Sequence, residues 1–270
     1  MNKKRFDTYC ESTFKAIIYI QNNIEENIDL SDIAKEAGYS LYHFHRIFKK
    51  VIGESLKSYI RRIRLENAAF SLQIQNKSII DIALDSGFYT PETFSKAFNK
   101  YFGKLPSKYK NKVSLYNDSN INSIKKIYFK GRTCIFKRHT GLYTKSGTPY
   151  EKNSLWHSIL LQSDLKSKNI LEYELFGISH DDPSITSEKN IRYDACIAVK
   201  NDKKTASLQQ QLQEGFYIVA VHQGSFEELI QSYNYLIYSW LKKYNFIMNH
   251  KIPPFEQFCN KHIKIYIPIL

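Results

Sequence analysis

Apolar residues recur at helical spacing through the first 110 residues of the chain, and one arrangement of them occurs twice. Residues 33–39 (IAKEAGY) reappear 49 positions later as residues 82–88 (IALDSGF). In each copy a short apolar helix runs into a glycine, which tolerates the left-handed backbone found after a helix. Ser31 is the expected cap of the first of these helices. The repeat predicts two helix-turn-helix units.

The second helix of each unit has a core face and an outer face. It begins near Ser40 in the first unit and at Thr90 in the second, and a pair of phenylalanines four residues apart faces the core. In a helix-turn-helix the outer face enters the major groove, whereas in an ordinary helical bundle it is only solvated. The outer residues are Tyr42, His45, Arg46 and Lys49 in the first unit, and Glu92, Thr93, Ser95, Lys96 and Asn99 in the second.

A longer helix, from Ser55 to about Gln75, joins the two units. Arg61, Arg62 and Arg64 lie on it, and each is either a phosphate contact or a solvated side chain. A rigid helix would fix the separation of the two reading helices at major-groove segments about 10 bp apart.

The pattern changes in the second half. Residues 111–123 are polar and without periodicity, which is typical of a linker. Strand and helix patterns then alternate, and residues 134–143 align with residues 217–226 at an offset of 83 that superimposes His139 on His222. We expect an α+β domain of two β-α-β-β units, with helices on one side of a curved sheet and a ligand on the other. The expected strands are 124–130, 133–139, 171–179, 192–199, 216–222, 255–259 and 262–268, and the expected helices are 155–165 and 226–244.

Composition narrows the class of partner. The 270 residues suit two domains, and a net charge of +13 favours a polyanion such as nucleic acid. The four cysteines are far apart and form no CxxC pair, so neither a zinc ribbon nor a redox motif is indicated and we expect the cysteines to be reduced. We expect a cytoplasmic protein with no membrane partner, no metal and no cofactor.

Residues 10–110 resemble the DNA-binding domain of AraC-type transcription regulators. The resemblance rests on residues 38–40 with 44–50, on residues 59–65, and on residues 79–106. It implies an all-α double helix-turn-helix domain over residues 1–112. Family contacts carried over by position fall on Tyr42, His45, Arg46, Pro91, Glu92, Thr93, Ser95 and Lys96. Glu92 departs from a cationic pattern, and it either accepts from a cytosine amino group or weakens the second unit.

Residues 124–270 resemble the GyrI-like effector-binding domain, with 113–123 as the linker. The motifs are residues 138–143, 180–183, 192–196, 255–258 and 265–268. Members of this family often hold lipophilic cations between aromatic rings and a buried carboxylate, and Glu256 matches that glutamate. Trp156, Tyr193, Tyr217 and Trp240 are the aromatic candidates for the pocket. The alternatives are an exposed edge-strand glutamate and plain core aromatics.

Together these features predict a sequence-specific transcription regulator whose C-terminal domain binds a small aromatic or cationic effector. Double-stranded DNA and the effector are the expected partners, with RNA polymerase as a further candidate. We expect no catalytic residue, since no GxSxG, HExxH or phosphate-binding glycine loop occurs. The alternatives are a constitutive DNA-binding protein whose C-terminal domain binds another protein, and a small-molecule hydrolase.

Overall fold

A computed structural model describes residues 3–110, 116–163, 165–167, 169–199, 208–260 and 262–270. The chain separates into two compact units, and the division falls between Lys112 and Val113. Each unit has its own core and is described by itself.

The first unit is all α-helical. Its helices are α1 (Lys3–Asn22), α2 (Leu30–Glu36), α3 (Leu41–Ile52), α4 (Leu56–Ile74), α5 (Ile79–Asp85), α6 (Pro91–Phe102) and α7 (Pro106–Tyr109). The core of its first half is built on Phe44 and Phe48 of α3, which pack with α1, α2 and α4. Helices α2–α3 and α5–α6 are the two predicted helix-turn-helix units.

Capping residues set where these helices begin. The side chains of Ser55, Ser78 and Thr90 accept hydrogen bonds from backbone N–H groups in the first turns of α4, α5 and α6. The expected cap of α2 at Ser31 is wrong. Asp29 fills that position, with its carboxylate accepting from the N–H of Ser31 at 2.7 Å. Asp and Ser are both good caps, so local preference could not choose between them.

The second unit is built on one eight-stranded antiparallel sheet. Its strands are β1 (Ile121–Phe129), β2 (Arg132–Thr140), β3 (Leu175–Ser179), β4 (Arg192–Val199), β5 (Gln209–Leu212), β6 (Gly215–His222), β7 (Phe255–Cys259) and β8 (His262–Pro268). Their order across the sheet is β1-β6-β8-β7-β3-β4-β2-β5.

This order displays the duplication that the sequence repeat predicts. Strands β2, β3 and β4 form one half and β6, β7 and β8 the other, and the halves meet where β3 pairs with β7. His139 is the penultimate residue of β2, and His222 is the last residue of the equivalent strand β6. Each bonds through Nε2 to a carbonyl three residues later, at Leu142 and Ser225 respectively. The two histidines are thus structural residues of matching turns.

Helices cover one face of the sheet. Helix α8 (Leu155–Gln162) lies on that face, and Trp156 is in a core cluster with residues of β2, β3, β4 and β7. The predicted helix 226–244 starts with a short 3₁₀ turn and continues as α9 (Leu229–Asn234), a π-helical turn (Tyr235–Trp240) and α10 (Leu241–Lys243). We call residues 229–243 the second-repeat helix.

Two strand boundaries differ clearly from the expected ones, and one strand was not expected. Strand β1 begins at Ile121, inside the predicted linker. Strand β3 begins at Leu175 and not at residue 171, because a 3₁₀ turn capped by Asn169 occupies residues 170–172. Strand β5 (QQQL) was not predicted because it is polar, and only its pairing with β2 makes it a strand.

Candidate functional site

Helices α3 and α6 present the same surface twice. Residues 42–50 and 92–100 have identical burial patterns, with three buried aromatic or aliphatic positions on one side and polar residues on the other. The ring of Tyr42 is mostly open to solvent, with 77% of the residue's surface exposed. The predicted outer residues that are exposed are Tyr42, Arg46, Lys49, Glu92, Thr93, Lys96 and Asn99. The outer residues His45 and Ser95 are half-buried, and so is Pro91, which the family resemblance adds to the expected contacts.

The turn before each of these helices is also the same. Gly38 and Gly87 have φ of +78° and +73°, in the left-handed region that favours glycine. The next residue, Tyr39 or Phe88, donates its backbone N–H to the carbonyl five residues back, at 3.0 Å in both units. This closing pattern ends the first helix and sets the direction of the second.

Two of the three linker-helix arginines have structural partners. Arg62 is buried and forms ion pairs with Glu54 at 2.7 Å and Glu66 at 3.1 Å, and Glu66 also accepts from the hydroxyl of Tyr101 on α6. A buried guanidinium held in this way is not a phosphate contact.

Arg64 ties the linker helix to the segment between α1 and α2 and to the turn between α5 and α6. Its guanidinium donates to the carbonyls of Ile24, Glu26 and Gly87. A Cβ at Gly87 would lie 2.7 Å from the Arg64 guanidinium carbon, so this glycine is required for the approach as well as for the turn. Arg61 alone of the three is exposed.

In the second unit, Glu256 lies in the middle of the sheet. It is on β7 directly opposite Gly177 of β3, and it has no exposed surface. Three hydroxyl groups donate to its carboxylate: Tyr233 to Oε1 at 2.5 Å, Ser179 to Oε1 at 2.8 Å and Tyr193 to Oε2 at 3.2 Å. The expectation of a buried carboxylate, and not an exposed edge glutamate, agrees with this placement.

Burial dominates the electrostatics of this cluster. It raises the pKa of Glu256 to about 7, against the three hydroxyl hydrogen bonds, which lower it. Burial, and then the nearby Glu256 carboxylate, raise the pKa values of Tyr193 and Tyr233 well above the usual range, so both remain donors. Within the described residues no basic side chain forms an ion pair with Glu256. The carboxylate is therefore held by neutral groups only.

A glycine makes the space for these hydroxyl groups. A Cβ at Gly177 would lie 2.6 Å from Glu256 Oε2 and would overlap the Tyr193 hydroxyl oxygen. Both groups are buried, so moving them aside would cost packing energy. A residue without a side chain at position 177 is thus part of the site.

The structure brings together only some of the predicted aromatic residues. Tyr193 contacts Glu256 directly, and Trp156 lies behind it, with ring centroids 6.1 Å apart and the indole N–H bonded to the carbonyl of Phe176. Both lie on the helix-covered face of the sheet, and so does Glu256. The expectation of a ligand on the face away from the helices does not fit this carboxylate.

Tyr217 and Trp240 lie elsewhere. Ala220 is in register with Glu256 through Ile265, so Tyr217, three residues earlier in β6, is on the opposite face. There it packs against Phe129, Phe255 and Tyr266. Trp240 packs on Tyr244 and Phe246. Neither residue contacts the carboxylate cluster, since strand alternation and helix phase place them away from it.

Tyr233 and Ser179 were missed by the sequence analysis. Both contact Glu256 from elements far apart in sequence. Ser179 ends a predicted strand and Tyr233 lies within a predicted helix, so only the packing of that helix on the sheet shows their role.

The side chains of residues 138, 180, 181, 192 and 194 form a separate buried network. Arg138 makes a two-pronged contact with Asp194, with both distances 2.7 Å, and His180 bonds to the same carboxylate. Burial alone would raise the pKa of Asp194. The charges and hydrogen bonds of Arg138 and His180 outweigh burial and hold this pKa well below its usual range. Arg192 pairs with Asp181 in the same way. These residues fix the ends of β2, β3 and β4 and need no ligand to explain them.

The described residues lack two features that would indicate other kinds of site. They contain no helix that is long and apolar enough to cross a membrane. They also contain no group of three or more His, Cys, Asp or Glu side chains placed to hold a metal ion.

Comparison with known proteins agrees with the two units. A family model described as a helix-turn-helix domain matches residues 33–112, and one described as a GyrI-like small-molecule-binding domain matches residues 123–270, more than half of the chain. The HTH-type transcriptional activator AarP of Providencia stuartii is 40% identical over 102 residues, which are 38% of this chain and 76% of AarP.

Other relatives share a similar length of sequence. The right origin-binding protein of Escherichia coli is 36% identical over 94 residues, 35% of this chain and 32% of that protein. A solved AraC-type transcriptional regulator from Chromobacterium violaceum is 31% identical and covers 37% of this chain and 88% of its own, with a TM-score of 0.36. The chain belongs to the GyrI-like small-molecule-binding family and is an AraC-family DNA-binding transcription regulator.

Proposed function

We propose that this regulator reads two adjacent major-groove segments with α3 and α6, and that its second unit binds a small aromatic cation at Glu256. The observation that supports the second part most strongly is the carboxylate itself. It is fully buried, held by three neutral hydroxyl groups, and has tyrosine rings beside it. An aromatic cation would supply the missing positive charge and stack on those rings.

Charge favours α3 as the main reading helix. Its exposed face carries Arg46 and Lys49, whereas the face of α6 combines Lys96 with Glu92. The hydroxyl of Thr93 also donates to the carbonyl of Thr90 at 2.8 Å, so in this arrangement the hydroxyl oxygen is left to accept a hydrogen bond from a base. We therefore assign the larger share of base contacts to Tyr42, His45 and Arg46. A regulator of this kind works where the DNA is, and we place it in the cytoplasm.

One surface supports a second candidate function, the binding of another protein. Tyr128 and Phe216 pair across β1 and β6 with their rings 5.2 Å apart, and both are about half exposed. Lys126 lies over the rings of Phe216 and Phe246, which extends this aromatic surface toward Trp240. An exposed apolar patch of this kind is typical of protein contacts.

The test uses two probes of one shape and opposite charge. We expect tetraphenylphosphonium to bind the full chain and tetraphenylborate not to bind, measured by calorimetry at pH 8. Glu256→Gln should weaken the binding of tetraphenylphosphonium by at least about tenfold, which corresponds to a loss of about 1.4 kcal/mol. The control is Glu227→Gln, which changes an exposed carboxylate just before the second-repeat helix and should leave the affinity unchanged.

Binding of both probes with equal affinity, or equal binding by wild type and Glu256→Gln, would contradict the cation site. Failure of tetraphenylphosphonium to bind would also contradict it, and would favour the protein-binding function.

A further inference from the structure

The chain enters the second unit through a short segment that is held by side chains. This junction segment, residues 116–120, begins four residues after Lys112, where the first unit ends. The backbone N–H of Tyr116 donates to Ser239 Oγ at 2.7 Å, and the rings of Tyr116 and Tyr238 lie 6.0 Å apart. Asp118 accepts from the hydroxyl of Ser232.

All three of these anchoring residues belong to the second-repeat helix. The same helix carries Tyr233, whose hydroxyl donates to Glu256. Tyr233 is the immediate neighbour of Ser232, which bonds to Asp118 and also lies 2.8 Å from Nδ1 of the buried His222. One helix therefore binds the carboxylate and the junction segment at the same time.

The second-repeat helix contains an irregular turn that would let its two ends move relative to each other. A π-helical turn, Tyr235–Trp240, separates the first anchor, Ser232 with Tyr233, from the second, Tyr238 with Ser239. Such turns are rare and are frequently found at functional sites. A π turn holds more residues than an α turn, so a shift in its position rotates the residues beyond it relative to those before it.

We propose that the second-repeat helix couples the carboxylate site to the junction segment. A cation that pairs with Glu256 competes with the Tyr233 hydroxyl for the same carboxylate. Release of Tyr233 lets the helix shift, and this changes its hold on Tyr116 and Asp118, and through the chain on the DNA-binding unit. The proposal rests on the proposed cation site, and the coupling is reciprocal, as for any linked pair of equilibria.

The test needs neither ligand nor DNA. Hydrogen exchange of the Tyr116 amide is measured by mass spectrometry of the full chain for wild type, Tyr233→Phe and Tyr193→Phe. Both variants remove one hydroxyl donor from Glu256, but Tyr193 is on β4 and only Tyr233 is on the helix. Ser239→Ala, which removes the acceptor of the Tyr116 amide, marks the rate of a released junction.

We expect Tyr233→Phe to speed exchange of the Tyr116 amide several-fold, toward the rate of Ser239→Ala, and Tyr193→Phe to leave it at the wild-type rate. A wild-type rate in Tyr233→Phe would overturn the coupling. Equal acceleration by both phenylalanine variants would overturn it too, because the helix would then have no special part.

A second measurement covers the case in which Tyr233→Phe folds poorly. By reciprocity, Ser239→Ala should weaken the Tyr233–Glu256 bond and so raise the pKa of Glu256, followed by NMR of carbon-labelled glutamate. An unchanged pKa would contradict the proposal. Since no cation is present in either experiment, failure of the coupling and failure of the cation site give separate results.

Discussion

At the scale of single residues, Glu256 is a fully buried carboxylate that is held by hydroxyl groups and not by a basic side chain. Its carboxylate loses all contact with solvent and gains three hydroxyl hydrogen bonds, and the balance leaves its pKa at about 7. Sequence motifs could identify Glu256 and Tyr193, because both lie in short recognisable stretches. They could not identify Tyr233, because its contact depends on the angle at which a helix crosses the sheet.

The raised pKa predicts a pH dependence of folding. Between the usual value of 4.5 and about 7, the unfolded chain releases a proton that folded Glu256 retains, so rising pH favours unfolding. Relative to Glu256→Gln, wild type should lose about 3 kcal/mol of unfolding free energy from pH 4 to pH 8. Urea unfolding of both proteins across this range measures the difference.

In that experiment, Glu256→Gln serves as the reference because it removes only this titration. A constant difference between the two proteins at every pH would mean that Glu256 ionises as it does in the unfolded chain.

At the scale of elements, hydrophobic periodicity predicted α2–α3 and α5–α6, and the glycine turns marked where each pair bends. The identical burial of residues 42–50 and 92–100 shows why: the same phenylalanine spacing dictates the same buried face twice. Periodicity failed at β5, where a polar segment is a strand only through pairing with β2. Periodicity also could not show that Arg62 and Arg64 of the linker helix bond to groups within the unit. An arginine in the sequence of a helix does not reveal whether its side chain faces the solvent or the protein.

The linker helix should depend on Arg62 for stability. Arg62→Met would leave Glu66, which is 4% exposed, without its cation, and loss of one partner of a buried pair costs about 3–5 kcal/mol. Arg61→Met, on an exposed neighbour, should change stability by no more than about 0.5 kcal/mol. Helical circular dichroism during urea unfolding of the full chain compares the two variants, and equal stability of both would remove the structural role assigned to Arg62.

At the scale of the whole molecule, a chain of net charge +13 combines a duplicated helical unit with a duplicated sheet unit. The sequence repeats predicted both duplications. The face of the sheet that holds the carboxylate was not predictable, because a strand pattern shows alternation without showing which side the helices cover. Net charge alone could not separate specific from nonspecific binding of DNA, because phosphate contacts attract any sequence.

Whether α3 and α6 read a defined DNA sequence is tested by selecting bound fragments from random duplex DNA with the full chain at near-physiological salt. The proposed function predicts an enriched motif with two parts centred about 10 bp apart, with the first part more strongly specified. Recovery of no motif, together with binding that disappears steeply as salt rises, would contradict it.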